Sequence, residues 1–201
     1  TPPARATYRR RSIGCIKKRC HTMRSQLGRL LKMRYFFYVP NNPRSTTTLS
    51  TINGESQSLE QWLTTFNLLC VVIDPYTYQS GWIIPTADRI FSHYREANVR
   101  CAFVVTGSDE GAKEFLGKFA TDWLVLTDEK RELVASLGLQ SLPALVHLGQ
   151  DCSILGSAEN WNPSEWHDVI SGVEDAMAWR SKPLIPDASD PGPFEGTPAM
   201  G

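Results

Sequence analysis

Five cysteines and four histidines are the side chains of this chain best suited to redox, metal or nucleophilic chemistry. Thiol–disulfide exchange needs a thiolate with a second thiol in reach, and structural zinc needs ligands that converge in closely spaced pairs. Cys15, Cys20, Cys70, Cys101 and Cys152 are odd in number and widely spaced, and no Cys-x-x-Cys occurs. His21, His93, His147 and His167 fall singly. The sequence therefore predicts no metal site and calls for no cofactor. Nothing resembles a secreted disulfide framework, so a reducing, cytoplasmic setting is expected. Cys70 lies within one apolar run and Cys101 near the start of another, which reads as buried structural thiols. Cys152 opens a later strand and is expected to be more accessible. These three are the candidates for any thiol chemistry in the domain, and neighbouring strands could bring Cys70 and Cys101 together.

Oxygen nucleophiles offer less. Ser80 follows Asp74-Pro75-Tyr76-Thr77-Tyr78-Gln79 and would need a base and an orienting group to act. Asp74 and His147 qualify by residue type alone, and the Gly-x-Ser-x-Gly elbow of serine hydrolases is missing.

The elements that must position these residues lie after residue 56. Ser58, Glu60 and Gln61 suit a helix start, with Leu59, Trp62, Leu63 and Phe66 at helical spacing. The run 68–73 reads as a strand buried on both faces, hence part of a parallel or mixed sheet. Residues 84–97 predict a helix with Ala87, Ile90, Phe91 and Tyr94 on one stripe, and 101–105 a second strand. A helix over 110–119, a short strand at 123–126 and a helix over 129–137 ended by Gly138 follow. Residues 141–148 give a turn and strand, and 152–156 another strand. Asn162 with Pro163 opens the last helix, which runs to about residue 179. Trp161, Trp166 and Trp179 read as core.

Charge divides the chain. Residues 1–54 carry twelve Lys/Arg and no acid, while the remainder holds nine Lys/Arg against twenty-one Asp/Glu. That acidic balance argues against nucleic acid as a partner of the folded part. No apolar run approaches the roughly 20 residues of a membrane span. Residues 1–56 read as a basic, disordered extension or as sequence upstream of the true start, since the chain opens on Thr1. Residues 57–180 form the domain. Residues 181–201, rich in proline, read as a tail without regular structure.

The order helix, strand, helix, strand, helix, strand, helix, strand, strand, helix resembles the thioredoxin-like superfamily over about 120 residues. A buried strand ends at Asp74, with a helix beginning about ten residues later, where the family holds its active site. The segment Leu137-Gly138-Leu139-Gln140-Ser141-Leu142-Pro143-Ala144-Leu145 is similar to the family's helix–Gly–turn–Pro–strand segment, which implies a cis bond at Pro143. The length between the second strand and Gly138 looks like the peroxiredoxin and alkyl hydroperoxide reductase branch. The Asp-Pro-Tyr-Thr-Tyr turn at 74–78 and the Asp-Pro-x-Pro-Phe tail at 190–194 also resemble those of small bacterial thioredoxin-like proteins. The expected fold class is α/β: three layers, with a central mixed sheet flanked by helices.

The same resemblance puts the redox cysteine position on Ser80. Counted from Asp74, the motif reads Ser80-Gly81-Trp82-Ile83; counted as Thr-x-x-Cys, Thr77 leads to Ser80. A serine hydroxyl has no disulfide or sulfenic state. The sequence thus favours a non-catalytic module over an enzyme. It would bind a protein or peptide in a groove formed by Tyr76, Thr77, Tyr78, Ser80, Trp82, Leu142 and Pro143. The alternative is an atypical thiol oxidoreductase or peroxidase using Cys70, Cys101 or Cys152. Pro191-Gly192-Pro193-Phe194 is expected to dock a partner or to fold back on the domain.

Overall fold

The computed structural model of the protein describes residues 42–178 and 184–201. The basic residues 1–41 and Trp179 lie outside the described residues. In chain order the elements are β1 (Thr48–Thr51), β2 (Ser56–Ser58), α1 (Leu59–Trp62), β3 (Asn67–Ile73), α2 (Tyr78–His93) and β4 (Val99–Val105). Then come α3 (Asp109–Leu116), α4 (Phe119–Asp122), β5 (Leu124–Thr127), α5 (Glu132–Leu137) and β6 (Ser141–Leu142). The last are β7 (Ala144–Leu148), β8 (Ile154–Glu159), α6 (Pro163–Ala176) and β9 (Thr197–Pro198).

Seven strands form a mixed sheet in the order β2-β1-β5-β4-β3-β7-β8. β3, β4 and β5 are parallel, while β7 runs antiparallel to β3, from Leu68↔Leu148 to Val72↔Ala144. Strand alternation divides the side chains between two cores. Leu69, Val71 and Ile73 face the layer that holds α2 and α6, with Phe91, Trp161 and Trp166. Leu68, Cys70 and Val72 face α1 and α5, with Leu59, Leu133 and Val134. The architecture is the expected α/β arrangement of three layers, and the stripe Ala87, Ile90, Phe91 and Tyr94 is wholly buried.

Four local expectations are corrected. Residues 44–56 belong to the domain: β1 pairs with both β2 and β5, and buries Leu49. Their Ser/Thr-rich composition hid a strand that needs little apolar surface because Thr fits a pleated ladder. Helix α2 begins at Tyr78, six residues before the expected start, and continues through Pro85. Its first turns lack an apolar stripe because Tyr78 and Trp82 project into solvent. Phe66, expected inward, is exposed, because α1 ends at Trp62. The proline-rich segment forms β9, which pairs with β6 in a second, two-stranded sheet. Backbone pairing of this kind is invisible to composition.

Candidate functional site

The end of β3 delivers Asp74, which is almost fully buried. Its Oδ1 accepts the Tyr76 N–H at 2.9 Å, and its Oδ2 pairs with Arg131 Nη2 at 2.8 Å. Arg131, with a left-handed φ of 56°, immediately precedes α5. Helix α2 starts at Tyr78, four residues after Asp74, and its N-cap Thr77 makes no side-chain capping bond. Ser80 is completely buried: its Oγ accepts the Asp74 N–H at 2.9 Å, and the Thr77 hydroxyl donates to it at 3.0 Å. That hydroxyl ties the strand end to the helix start and does not face solvent. Around it, Tyr76, Tyr78 and Trp82 are 72%, 85% and 54% exposed.

On the neighbouring strand, the pairing Val72↔Ala144 sets Pro143 abreast of Ile73, one residue from Asp74. The Leu142–Pro143 bond is cis, as the resemblance implies. The edge formed by Ser141 and Leu142 is covered. Pro198 pairs with Ser141 and Thr197 with Leu142, and the Ala199 N–H donates to the Gln140 carbonyl at 2.8 Å. The Ser141 edge is oriented from behind by Glu159, whose carboxylate accepts the Gln140 and Ser141 N–H groups at 2.8 and 2.7 Å.

The covering segment is anchored along its length. Asp190 Oδ1 pairs with Arg89 Nη2 at 2.7 Å and accepts the Thr86 hydroxyl at the same distance. Trp161 and Phe194 exchange two backbone hydrogen bonds, each of 3.1 Å, and Trp161 Nε1 donates to the Pro191 carbonyl. Phe194 meets Trp82 edge-on, with ring centroids 5.3 Å apart. Arg131 Nη1 donates to the Ala199 carbonyl, so one guanidinium joins Asp74 to the segment. Arg89, Arg131, Asp190 and Gly196 are the site residues that sequence reasoning missed. The Asp-Pro-x-Pro-Phe pattern signalled only Asp190 among them, and the fold-back expected of that segment as one alternative is what the structure shows.

The candidate nucleophiles do not converge. Cys70 and Cys101 sit on adjacent strands, but Cys70 is offset by one residue from Cys101 in the register and points into the other core. The sheet itself separates them. Burial pushes the thiols of Cys70 and Cys101 up to about 12, with Cys101 adding a smaller charge effect at Cys70. Cys152, expected to be the accessible one, is 4% exposed and its thiol is raised, chiefly by burial. The β7–β8 connection turns it inward at a φ of 62°. Cys101 is the half-buried thiol and lines a cleft of about 460 Å³ with Tyr94, Arg95 and Trp123. His147 pairs with Leu69 near the start of β3, roughly 16 Å of strand rise from Asp74. It cannot serve Ser80 as a base. Among the described residues no three His, Cys, Asp or Glu side chains form a metal set, and no helix is long and apolar enough to cross a membrane.

Neither a family model nor a curated protein matches the sequence. Solved structures match the fold. The thioredoxin domain of a thiol-disulfide oxidoreductase from Bacteroides vulgatus aligns with a TM-score of 0.55 at 13% identity, covering 69% of this chain and 98% of that one. A secreted Mycobacterium tuberculosis disulfide oxidoreductase homologous to E. coli DsbE gives 0.51 at 14% identity, over 63% and 95%. A thioredoxin-like protein from Aeropyrum pernix gives 0.51 at 13% identity, over 76% and 98%. At such identities the likeness is one of fold, and the fold is thioredoxin-like.

Proposed function

From a thioredoxin-like fold as premise, we propose that this chain is a non-catalytic binding module that has lost the redox cysteine at Ser80. It engages a protein or peptide through the exposed aromatics at the start of α2. The observation that carries this reading is the pairing of a buried, hydrogen-bonded Ser80 with three exposed aromatic neighbours. A working redox site needs an accessible thiolate of depressed pKa at a helix N-terminus. Here that position holds a hydroxyl turned inward. The Thr77–Ser80 contact fits the Thr-x-x-Cys spacing and supports descent from the peroxiredoxin branch. Exposed Tyr and Trp side chains supply contact area at little cost in rotamer freedom, which suits a protein-facing surface.

The test is a per-cysteine oxidation time course on the full chain, using dilute peroxide, a thiol label and mass spectrometry. Cys70, Cys101 and Cys152 are expected to react more slowly than a free thiol at neutral pH, and to speed up only on unfolding. Oxidation of one of them orders of magnitude faster than a free thiol would replace the module with an enzyme. Cys101 is where that second reading, an atypical thiol oxidoreductase or peroxidase, has its support: among the described cysteines it alone lines an open cleft while half-buried. Its raised pKa counts against it, because the thiolate is the reactive form.

A further inference from the structure

A cleft of about 460 Å³ opens at the opposite end of the sheet from Asp74, where α2 gives way to β4. Cys101 lines it at the register position of Leu69, roughly 16 Å of strand rise from Asp74. That volume suits a small molecule, since ligand pockets run from about 300 to 1,000 Å³. Arg95 and Arg100 bring positive charge to the cleft, Phe66 and Trp123 bring apolar surface, and Glu96 lies beside them.

Aromatic rings, rather than acids, position the two guanidiniums. Arg95 Cζ lies 4.5 Å from the centroid of the Trp123 ring, whose Nε1 donates to Asp88 Oδ1 at 2.8 Å. Arg100 Nη1 donates to the Trp62 carbonyl at 2.8 Å, with Cζ 5.8 Å from the Trp62 ring centroid. Among the described residues the ion pairs are Arg89–Asp190 and Arg131–Asp74, and neither arginine of the cleft takes part in one. Residues 55–201 hold twenty-one Asp/Glu against nine Lys/Arg, so acids are plentiful and these two cations still go without. A cation is favoured just past the C-terminal end of a helix, which accounts for Arg95 after α2 but not for Arg100 on β4. Phe66 is exposed beside them, and no packing of the core requires it there.

We propose that this cleft binds a small aromatic carboxylate, its charge met by Arg95 and Arg100 and its ring by Phe66 and Trp123. A guanidinium presents a planar fork matched to a carboxylate, and one already held on an aromatic ring gives up little freedom on binding. Two guanidiniums against the single carboxylate of Glu96 leave one net positive charge. That balance suits a monoanion better than a phosphate dianion. The cleft is remote from the aromatics at the start of α2, so the proposal is independent of the binding-module reading.

The experiment titrates the full chain with 2-naphthoate, read by two-dimensional NMR of the amide and indole N–H groups. The comparison probes are 2-naphthylmethanol, which keeps the ring, acetate, which keeps the charge, and 2-naphthyl phosphate. 2-Naphthoate is expected to bind at least tenfold more tightly than the alcohol or acetate, and several-fold more tightly than the phosphate. Its shifts are expected at the Trp123 indole N–H and the amides of residues 95–101. Arg95→Gln, at an exposed position, is expected to weaken binding at least fivefold with the rest of the spectrum unchanged, and Arg100→Gln to do the same. No binding of 2-naphthoate, an alcohol or phosphate that binds as well, or shifts gathered around Tyr78 instead would each overturn the proposal. So would an unchanged affinity in Arg95→Gln, which decides the matter should Arg100→Gln fail to fold.

Discussion

Two sides of the strand end at Asp74 are finished in opposite ways. On the α2 side, Tyr76, Tyr78 and Trp82 stand in solvent over a buried Ser80; on the β6 side, Ser141 and Leu142 lie beneath residues 197 and 198. The bare side carries large aromatic side chains that are mostly exposed. The covered side carries small ones, yet it is tied to the domain by Arg131, Trp161 and the Arg89–Asp190 pair. Side-chain size alone would have placed the buried, fastened side the wrong way round. Burial and hydrogen-bond partners separate them: the covered side is fastened to the domain, and the bare side stands in solvent. Among the described residues, Phe194 against Trp82 is the aromatic contact that joins the two.

The sharpest test of this division is Trp161→Ala. Trp161 is 1% exposed, stacks edge-on against Trp166 at 5.0 Å and donates to the Pro191 carbonyl beneath the covering segment. Truncation should cost roughly 3–5 kcal/mol, as for other buried Trp deletions. Urea unfolding should show a lower midpoint with an unchanged slope. A loss below ~1 kcal/mol would mean the segment rests on the surface rather than in the core.

Acid acts on the covered side by another route. β7 leads directly from Pro143 and carries His147, whose imidazole is 2% exposed and has its pKa lowered to about 4 by burial from an ordinary 6.5. Between those values the unfolded chain binds a proton that the folded chain refuses. The stability this group contributes is therefore complete above pH 6.5 and declines as pH falls toward 4. The decline amounts to about 3 kcal/mol at 1.36 kcal/mol per unit. Urea midpoints at pH 7 and pH 4 should converge in His147→Gln relative to the unaltered chain; an identical pH dependence in both would show that His147 is not the acid-labile group.

How much of this was legible in the sequence depends on what each residue needed from its neighbours. The apolar run 68–73, the stripe from Ala87 to Tyr94, and Asn162-Pro163 each specify a local element, and all three formed as read. Pro143 was legible because it sits in a recognisable helix–turn–strand segment. Ser80 was legible as a position but not as a buried hydroxyl, since its partner is the Asp74 N–H of a tertiary turn. Cys152 was misjudged because a left-handed turn residue buries a side chain that strand alternation cannot place. The covering segment was legible only as a run, Pro191 to Phe194, able to fold back; its pairing and anchors were illegible for a stronger reason. Its anchors lie 30 to 104 residues away in sequence, and its pairing is made by backbone groups that every residue type shares.

A smaller effect probes the Asp190 anchor of the covering segment. Asp190 is nearly buried at 3% side-chain exposure, while its partner Arg89 is 29% exposed. Asp190→Ala removes a charge-assisted bond and leaves the Thr86 hydroxyl without its acceptor, a loss of about 2 kcal/mol. Asp190→Asn keeps an acceptor in place and should lose about half as much. Equal losses in the two variants, measured by urea unfolding, would show that packing rather than the ion pair fastens this end.

The smallest expected effect on stability bears most on function. Tyr78 is 85% exposed on the first turn of α2, and among the described residues the turn's hydrogen bonds run through Asp74, Tyr76 N–H, Thr77 and Ser80 rather than the Tyr78 hydroxyl. Tyr78→Ala should change unfolding free energy by no more than ~0.5 kcal/mol, the range of ordinary surface substitutions. If the bare side is a contact surface, the same substitution should lower partner affinity by a factor of ten or more, as aromatic anchors do. A stable variant with weakened binding completes the division between the two sides. A destabilised variant would make Tyr78 part of the turn's packing, and a stable variant with unchanged binding would move the contact surface elsewhere. The pairing of the two measurements matters, because a loss of binding in an unfolded variant says nothing about the surface.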